Sequence, residues 1–337
     1  MKSGALFAGI GGFCRGFENS GIGTSWAVEN DLYASETYRL NHPKTRIILN
    51  DFNEPADIRG VSVSKNDLEP VDIFHAGFPC QSFSTAGNRS GFNDVRGQLF
   101  FEIIRLIKEF KDRQPSVIVL ENVPNLRGGD GGRWFIEITK EIQKAGYWFK
   151  QLNSQELDTY NLTNLPQRRN RLFMVGFSIR NFRNGKFDFP HKRNTAVKDL
   201  RNFVDFEGIQ EDKYYYLPTE NKYYEMIKKL EKKGNFCLYH LRRYFVRVKN
   251  EGVCPTLTAN MGVGGHNVPF LFDDAGLRKL TEFECLNLQG FPKTFKFPEN
   301  IGKSQRYTQI GNSVSVPISE MLAEKVKQKI QNERKNG

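Results

Sequence analysis

Val71-Asp72-Ile73-Phe74-His75-Ala76-Gly77-Phe78-Pro79-Cys80-Gln81-Ser82-Phe83-Ser84 is the stretch on which the reading of this chain turns. Val71, Ile73 and Phe74, interrupted by Asp72 and His75, predict a short buried strand. Gly77, Pro79 and Cys80 follow where a strand gives way to a helix. Pro79 fixes φ just before Cys80, so the thiol stands at the mouth of the turn, where a cysteine can act as an exposed nucleophile. A lone cysteine more often only packs, so that reading draws its weight from the rest of the chain.

Outward from this turn, short apolar runs alternate with amphipathic stretches. Leu6-Phe7 enters Ala8-Gly9-Ile10-Gly11-Gly12-Phe13, Trp26-Ala27-Val28 ends at Glu29, and Ile47-Ile48-Leu49 ends at Asn50-Asp51. Val117-Ile118-Val119-Leu120 ends at Glu121-Asn122, and Leu172 to Phe177 is entered from Gln167-Arg168-Arg169-Asn170-Arg171. Leu99, Phe100, Ile103, Ile104, Ile107 and Phe110 recur at helical spacing before Pro115 and predict a core-packing helix. The alternation predicts a mostly parallel α/β sheet. Glu29, Asp51, Cys80 and Glu121 fall just past the carboxyl ends of successive strands, the edge at which an open doubly wound sheet binds ligands.

After about residue 180 the pattern changes. Residues 181–213 are polar, aromatic and poorly periodic; Thr219 to Lys233 predicts a helix capped by Thr219 and stopped by Gly234. Basic and aromatic residues interleave from Tyr239 to Lys249, including Arg242, Arg243 and Arg247. Pro255-Thr256-Leu257-Thr258-Ala259-Asn260 then runs into Gly262-Val263-Gly264-Gly265-His266-Asn267. These loops predict a smaller domain able to lie close against a ligand's backbone. Beyond it, Pro317 opens a helix whose apolar face is Ile318, Met321, Leu322, Val326 and Ile330.

The net charge of +11 points to a polyanionic partner, most simply nucleic acid. Five cysteines without a C-x-x-C pair and five histidines without ligand spacing argue against a disulfide framework and a metal site. No apolar run approaches a membrane span, and Met1-Lys2-Ser3 leads directly into patterned sequence, so a cytoplasmic protein is expected. Gly9-x-Gly11-Gly12 lacks the third glycine of the dinucleotide fingerprint, Cys14 standing there; Glu29, twenty residues after Gly9, suits ribose hydroxyls. Together they suggest a nucleoside cofactor without a pyrophosphate.

Taken together, these segments resemble the DNA (cytosine-5) methyltransferase family. Phe7 to Phe13 is similar to its first motif, for S-adenosylmethionine, and Pro79-Cys80-Gln81 to its catalytic loop, followed by Arg96-Gly97-Gln98-Leu99-Phe100. Glu121-Asn122-Val123 and Gln167 to Arg171 resemble the next two motifs. Arg278-Lys279-Leu280-Thr281, Glu284-Cys285 and Leu288-Gln289-Gly290-Phe291-Pro292 resemble the segment supporting the recognition domain, and Gly311-Asn312-Ser313-Val314 the last cofactor motif. Three positions depart: Asn30 replaces a bulky apolar residue against the adenine, Asn50 a frequent glycine and Phe283 a frequent arginine.

The resemblance implies a doubly wound, Rossmann-like α/β sheet dependent on S-adenosylmethionine (residues 1–180), a target-recognition domain (181–277) and a segment (278–337) completing the catalytic domain. It implies Cys80 as nucleophile, Glu121 at nitrogen 3, and Arg169 or Arg171, more naturally Arg171, on the exocyclic oxygen. Phe7, Gly9, Ile10, Gly11, Gly12, Glu29, Asn30, Asp51, Phe52, Pro79, Leu99, Asn312, Ser313 and Val314 are expected around the cofactor, with Glu29 on the ribose and Asp51 at the adenine. Gln81, Ser82, Ser84, Arg96, Arg242, Arg243, Arg247, Thr256, Gly264, Gly265 and His266 are expected on double-stranded DNA, around a flipped base. A monomer is expected, sharing its cell with a cognate restriction endonuclease. Two alternatives stay open: a tRNA cytosine-5 methyltransferase sharing these catalytic residues, and an inert DNA-binding scaffold.

Overall fold

The computed structural model describes residues 1–79, 98–191, 196–217, 223–231, 236–242, 245–249, 252–263 and 268–336. They form two compact units, one of residues 1–157, 170–191 and 316–337, the other of residues 158–169 and 192–315. The chain enters with β1 (Lys2–Leu6), α1 (Gly12–Asn19), β2 (Gly23–Val28), α2 (Leu32–Asn41) and the short β3 (Arg46–Ile47). It continues through β4 (Ile73–Gly77), α3 (Leu99–Glu109), β5 (Val117–Asn122), α4 (Asn125–Gly128) and α5 (Arg133–Lys144). Next come β6 (Tyr147–Trp148), β7 (Ser154–Asp158), α6 (Thr159–Leu162) and β8 (Asn170–Ser178). The remainder holds α7 (Tyr224–Lys228), β9 (Tyr239–Leu241), β10 (Val246–Val248), β11 (Phe270–Asp273) and β12 (Gly276–Lys279). α8 (Glu282–Gln289), α9 (Lys303–Asn312) and α10 (Val316–Asn336) complete it.

In the first unit the sheet order is β3-β2-β1-β4-β5-β8-β6, with β7 also on β8. β1 to β5 pair in parallel, and β8 runs antiparallel to β5. Strands covered on both faces should read as apolar runs, and β5 is buried over its whole length. Their side chains join those of α3 and α5 in one core that includes Trp26, Phe74, Phe100, Ile104, Leu120, Ile138 and Met174. The polar break in β4, His75, is core as well. It lies 5.2 Å from the Phe13 ring and 4.7 Å from Phe17, and burial pushes its pKa down to about 3, so the ring is neutral. α10 starts with Pro317 in its first turn and buries Ile318, Leu322, Val326 and Ile330, while Met321 is half-buried. Its Ser319 Oγ donates to Phe13 O of α1 at 2.9 Å, returning the chain's end to its beginning.

In the second unit β10-β9-β11-β12 form an antiparallel sheet over a small core of Ile227, Cys237, Tyr239, Leu241, Phe270 and Leu277. Here the domain boundary differs from the one expected at residue 278. β12 is hydrogen-bonded to β11, and the buried Arg278 guanidinium is held by Asp273 at 2.6 Å and Glu284 at 2.9 Å. A buried cation needs its carboxylates close by, so β12 and α8 stay with this sheet and the chain changes unit only at Val316. The helix expected over 219–233 is helical over Tyr224–Lys228, its expected ends Thr219 and Gly234 lying outside the described residues.

Candidate active site

The strand order places a topological switch between β1 and β4, whose successors run to opposite sides of the sheet. Past β1 the chain turns sharply through Phe7, Gly9 and Gly11, all at positive φ (54°, 56° and 87°). Gly11 has a second reason to be glycine, since a Cβ there would lie 2.1 Å from His42 Nε2. The turn is tied to the end of β2 by Glu29, whose Oε2 accepts from Gly9 N at 2.7 Å and Oε1 from Asp31 N at 2.9 Å. Burial raises the Glu29 pKa, and these two N–H donors oppose the rise. Ile10 and Gly12 are buried beneath the turn.

At this edge opens a cavity of about 410 Å³ lined by Phe7, Val28, Glu29, Asn30, Ala56, Asp57, Ile58, Arg59, Pro79 and Leu99. The ends of β1, β2 and β4 thus contribute to one hollow, together with the Ala56–Arg59 segment and the start of α3. Asp51 and Phe52, expected here, stand elsewhere: Asp51 is exposed and paired with Lys65 at 2.8 Å, and Phe52 is 84% exposed. β3 is only two residues long, and the chain behind it folds into a hairpin-like turn. Leu49 bridges Pro55, and the Asn50 side chain accepts from Phe52 N and Glu54 N, so Asp51 and Phe52 ride at the tip. The returning limb delivers Asp57 instead. Its Oδ1 accepts from Arg59 N at 2.9 Å, and the Arg59 guanidinium, with a further bond from Asn30, holds its pKa below the usual carboxylate range. An aspartate bonding the backbone two residues on, as in Asp57-Ile58-Arg59, is the signal that sequence reading passed over.

The opposite side of the switch carries a second constellation. Glu121, next to last in β5, lies opposite Gly77 of β4, and the last residue, Asn122, donates through Nδ2 to Phe78 O at 3.2 Å. This bond braces the backbone entering Pro79. Because β8 is antiparallel to β5, its first residues come to the same edge: Asn122 pairs with Leu172, and Arg171 reaches Glu121, Nε to Oε1 at 3.1 Å. Both side chains are largely buried, at 18% and 11% exposure. Cys80, Gln81, Ser82, Ser84 and Arg96 lie outside the described residues, as do Arg243, Gly264, Gly265 and His266.

Arg169 takes a different place from the one expected at the base. It precedes β8, belongs to the second unit and is 3% exposed, its guanidinium donating to Leu257 O (2.7 Å), Gly311 O (3.1 Å) and Ser313 O (2.6 Å). Three carbonyl acceptors make it a brace for the Gly311–Val314 turn. Ser313 and Val314 are buried there and Asn312 is exposed. A Cβ on Gly311 would lie 2.1 Å from the Thr258 carbonyl carbon, so this turn also needs its glycine. Elsewhere in the unit Arg242, just past β9, and Arg247, in the middle of β10, are exposed, and Thr256 Oγ1 donates to Arg168 O. No group of residues suited to a metal ion occurs among the described residues.

Residues 1–328 match the family described as C-5 cytosine-specific DNA methylase. The Type II methyltransferase M.Bsp6I of Bacillus sp. (strain RFL6) is 40% identical over 329 residues, 97% of this chain and 98% of that protein. The Type II methyltransferase M.DsaV of Dactylococcopsis salina is 33% identical over 324 residues, 95% of this chain and 84% of that one. Among solved structures, the S. pombe Dnmt2 methyltransferase superposes with a TM-score of 0.72 at 20% identity, covering 97% of this chain and 99% of its own, a likeness of fold. With a parallel sheet whose switch point opens a cavity, a Glu121–Arg171 pair beside the Pro79 turn, and a family match over nearly its whole length, the chain belongs to the C-5 cytosine-specific DNA methylases.

Proposed function

We propose that this DNA (cytosine-5) methyltransferase transfers a methyl group from S-adenosylmethionine to carbon 5 of a cytosine flipped out of a short specific duplex site, with Cys80 as nucleophile. The observation that carries the reading is the Glu121–Arg171 pair, set at the carboxyl edge one strand from the backbone that leads into Cys80. Carbon 5 of cytosine is a poor nucleophile. Addition of the Cys80 thiolate to carbon 6 forms a C–S bond and moves the ring's π electrons toward carbon 5, which can then take the methyl group. Glu121 hydrogen-bonds or protonates nitrogen 3 during that addition. Arg171, whose Nη1 donates to Asn170 O and whose Nε holds Glu121, presents its remaining edge to the exocyclic oxygen. Loss of the carbon 5 proton to solvent then restores the double bond and expels the thiolate.

The cavity in the first unit suits the cofactor. Two carboxylates line it, Glu29 on the glycine turn for the ribose and Asp57 for the adenine amino group, with Phe7, Ile58, Pro79 and Leu99 as apolar walls. When bound, S-adenosylmethionine supplies an electrophilic methyl group. Asp57→Ala is expected to raise the dissociation constant for S-adenosylhomocysteine about 10- to 100-fold by calorimetry, as for loss of a charged hydrogen bond, while Asp51→Ala leaves it unchanged. Weakened binding in Asp51→Ala with unchanged binding in Asp57→Ala would return the adenine to Asp51.

The Type II names of the relatives support a place in a restriction–modification pair; a cognate endonuclease in the same cell and a monomeric methyltransferase in the cytoplasm complete the proposal. No helix among the described residues is long and apolar enough to cross a membrane.

Trapping tests the chemistry. With fluorine in place of the carbon 5 proton, elimination cannot occur. A pool of duplexes carrying 5-fluorocytosine throughout should therefore become bonded to the protein only when S-adenosylmethionine is present, and peptide mapping should place the link at Cys80. An adduct formed with a 5-fluorocytosine tRNA transcript and not with the duplex pool would move the substrate to RNA. Absence of any adduct would remove the covalent route.

A further inference from the structure

Asp57 is held more firmly than a cavity wall requires. It precedes a single helical turn, Ile58–Gly60, pinned to α3 by Arg105, whose Nη2 donates to Ile58 O and to Val61 O at 2.9 Å each. From this turn Arg59 closes back on Asp57. Its backbone N and its Nε each donate to Oδ1 at 2.9 Å, and its Nη2 donates to Oδ2 at 2.6 Å. The two side-chain bonds form a fork that keeps carboxylate and guanidinium in one plane. Such a fork adds little to stability between exposed partners, and the Arg59 side chain is 57% exposed, that of Asp57 33%. What the fork does fix is the direction of a carboxylate that lines a cavity.

The same cavity carries a departure from the family. Asn30 stands where a bulky apolar residue is expected against the adenine; it lines the cavity beside Asp57 and Arg59 and also bonds the Asp57 carboxylate. An ionised carboxylate only accepts, and each oxygen has two lone pairs. Oδ1 already accepts twice from Arg59, so a ligand N–H has to meet Oδ2. Apolar walls grip one purine much like another. A directed carboxylate grips the purine that brings a donor and rejects the one that brings an acceptor.

We propose that Arg59 is a positioning residue that determines cofactor specificity: its fork sets Asp57 Oδ2 to accept from the 6-amino group of the adenine, so that the site selects an aminopurine over an oxopurine. The proposal rests on the cofactor reading above, with the adenine at Asp57. Arg59 acts through Asp57.

Calorimetric binding of S-adenosylhomocysteine and of its deaminated analogue, S-inosylhomocysteine, tests it. The analogue replaces the amino group with a carbonyl and sets an acceptor against the carboxylate. Wild-type protein should prefer S-adenosylhomocysteine by about 10- to 100-fold, the range for a charged hydrogen bond. Arg59→Ala should lower that preference to about threefold or less, chiefly by weakening S-adenosylhomocysteine. Arg59→Lys keeps the charge without the planar fork and should lose the preference as well. A preference unchanged in the alanine variant, or retained in Arg59→Lys, would overturn the role of the fork. Equal weakening of both ligands would overturn it too, as the mark of a general brace. Wild-type protein that binds both ligands equally would take the adenine away from Asp57, and binding of neither would overturn the cofactor reading itself.

Discussion

Cys80→Ser is expected to abolish methyl transfer, lowering turnover by on the order of 10⁴-fold or more, while duplex affinity stays within about tenfold. A serine hydroxyl is not ionised near neutral pH and would need a base to activate it. A thiolate needs none, because its own pKa lies close to ambient. The position also separates chemistry from grip, since the proposed duplex contacts come from other residues. Radiolabelled methyl transfer and anisotropy on the same preparation make the comparison. Of the other cysteines, Cys14, Cys237, Cys254 and Cys285 are buried. Burial pushes Cys14 up to about 12 and raises Cys254 and Cys285 as well, so none of these three offers a thiolate in substitution. Turnover retained in the serine variant would remove Cys80 from its assigned role.

Glu121→Gln should slow formation of the 5-fluorocytosine adduct by about two to four orders of magnitude, the range for loss of a positioned general acid. The substitution is nearly isosteric. Its amide oxygen can still accept from Arg171 Nε, so the fold should lose only about 1–2 kcal/mol, readable as a small fall in melting temperature. What the amide cannot do is give a proton to nitrogen 3 or carry the charge that orients Arg171. Single-turnover adduct formation at saturating duplex reads the chemical step apart from binding. A large fall in melting temperature with an unchanged adduct rate would make the pair structural and leave nitrogen 3 to another group.

Much of the architecture was legible because its signals are local. Apolar runs broken by glycine turns announce parallel strands with helices between them, and polar residues ending those runs mark one edge. Glu29 and Glu121 could be assigned to that edge from the chain alone. The glycine turn after β1 was equally open to reading, because Gly9 and Gly11 stand where the backbone needs positive φ.

Other features depended on partners far along the chain. An apolar run carries no direction, so only the pairing of β8 with β5 decided that Arg171 meets Glu121. Two aspartates follow β3 six residues apart, and the Leu49–Pro55 bridge sends Asp51 to the tip of a turn and Asp57 into the cavity. Arg169 and Arg171 stand in one basic run, and only the resemblance favours Arg171 there. Yet Arg169 lies before β8 begins, where the carbonyls of Leu257, Gly311 and Ser313, remote in the chain, converge on it. In the same way the buried Arg278 and its two carboxylates, Asp273 and Glu284, keep β12 and α8 with the second unit beyond residue 278. Periodicity and turn chemistry are properties of neighbouring residues and survive in the sequence, whereas the partner of a buried charge or the direction of a strand exists only once distant segments pack.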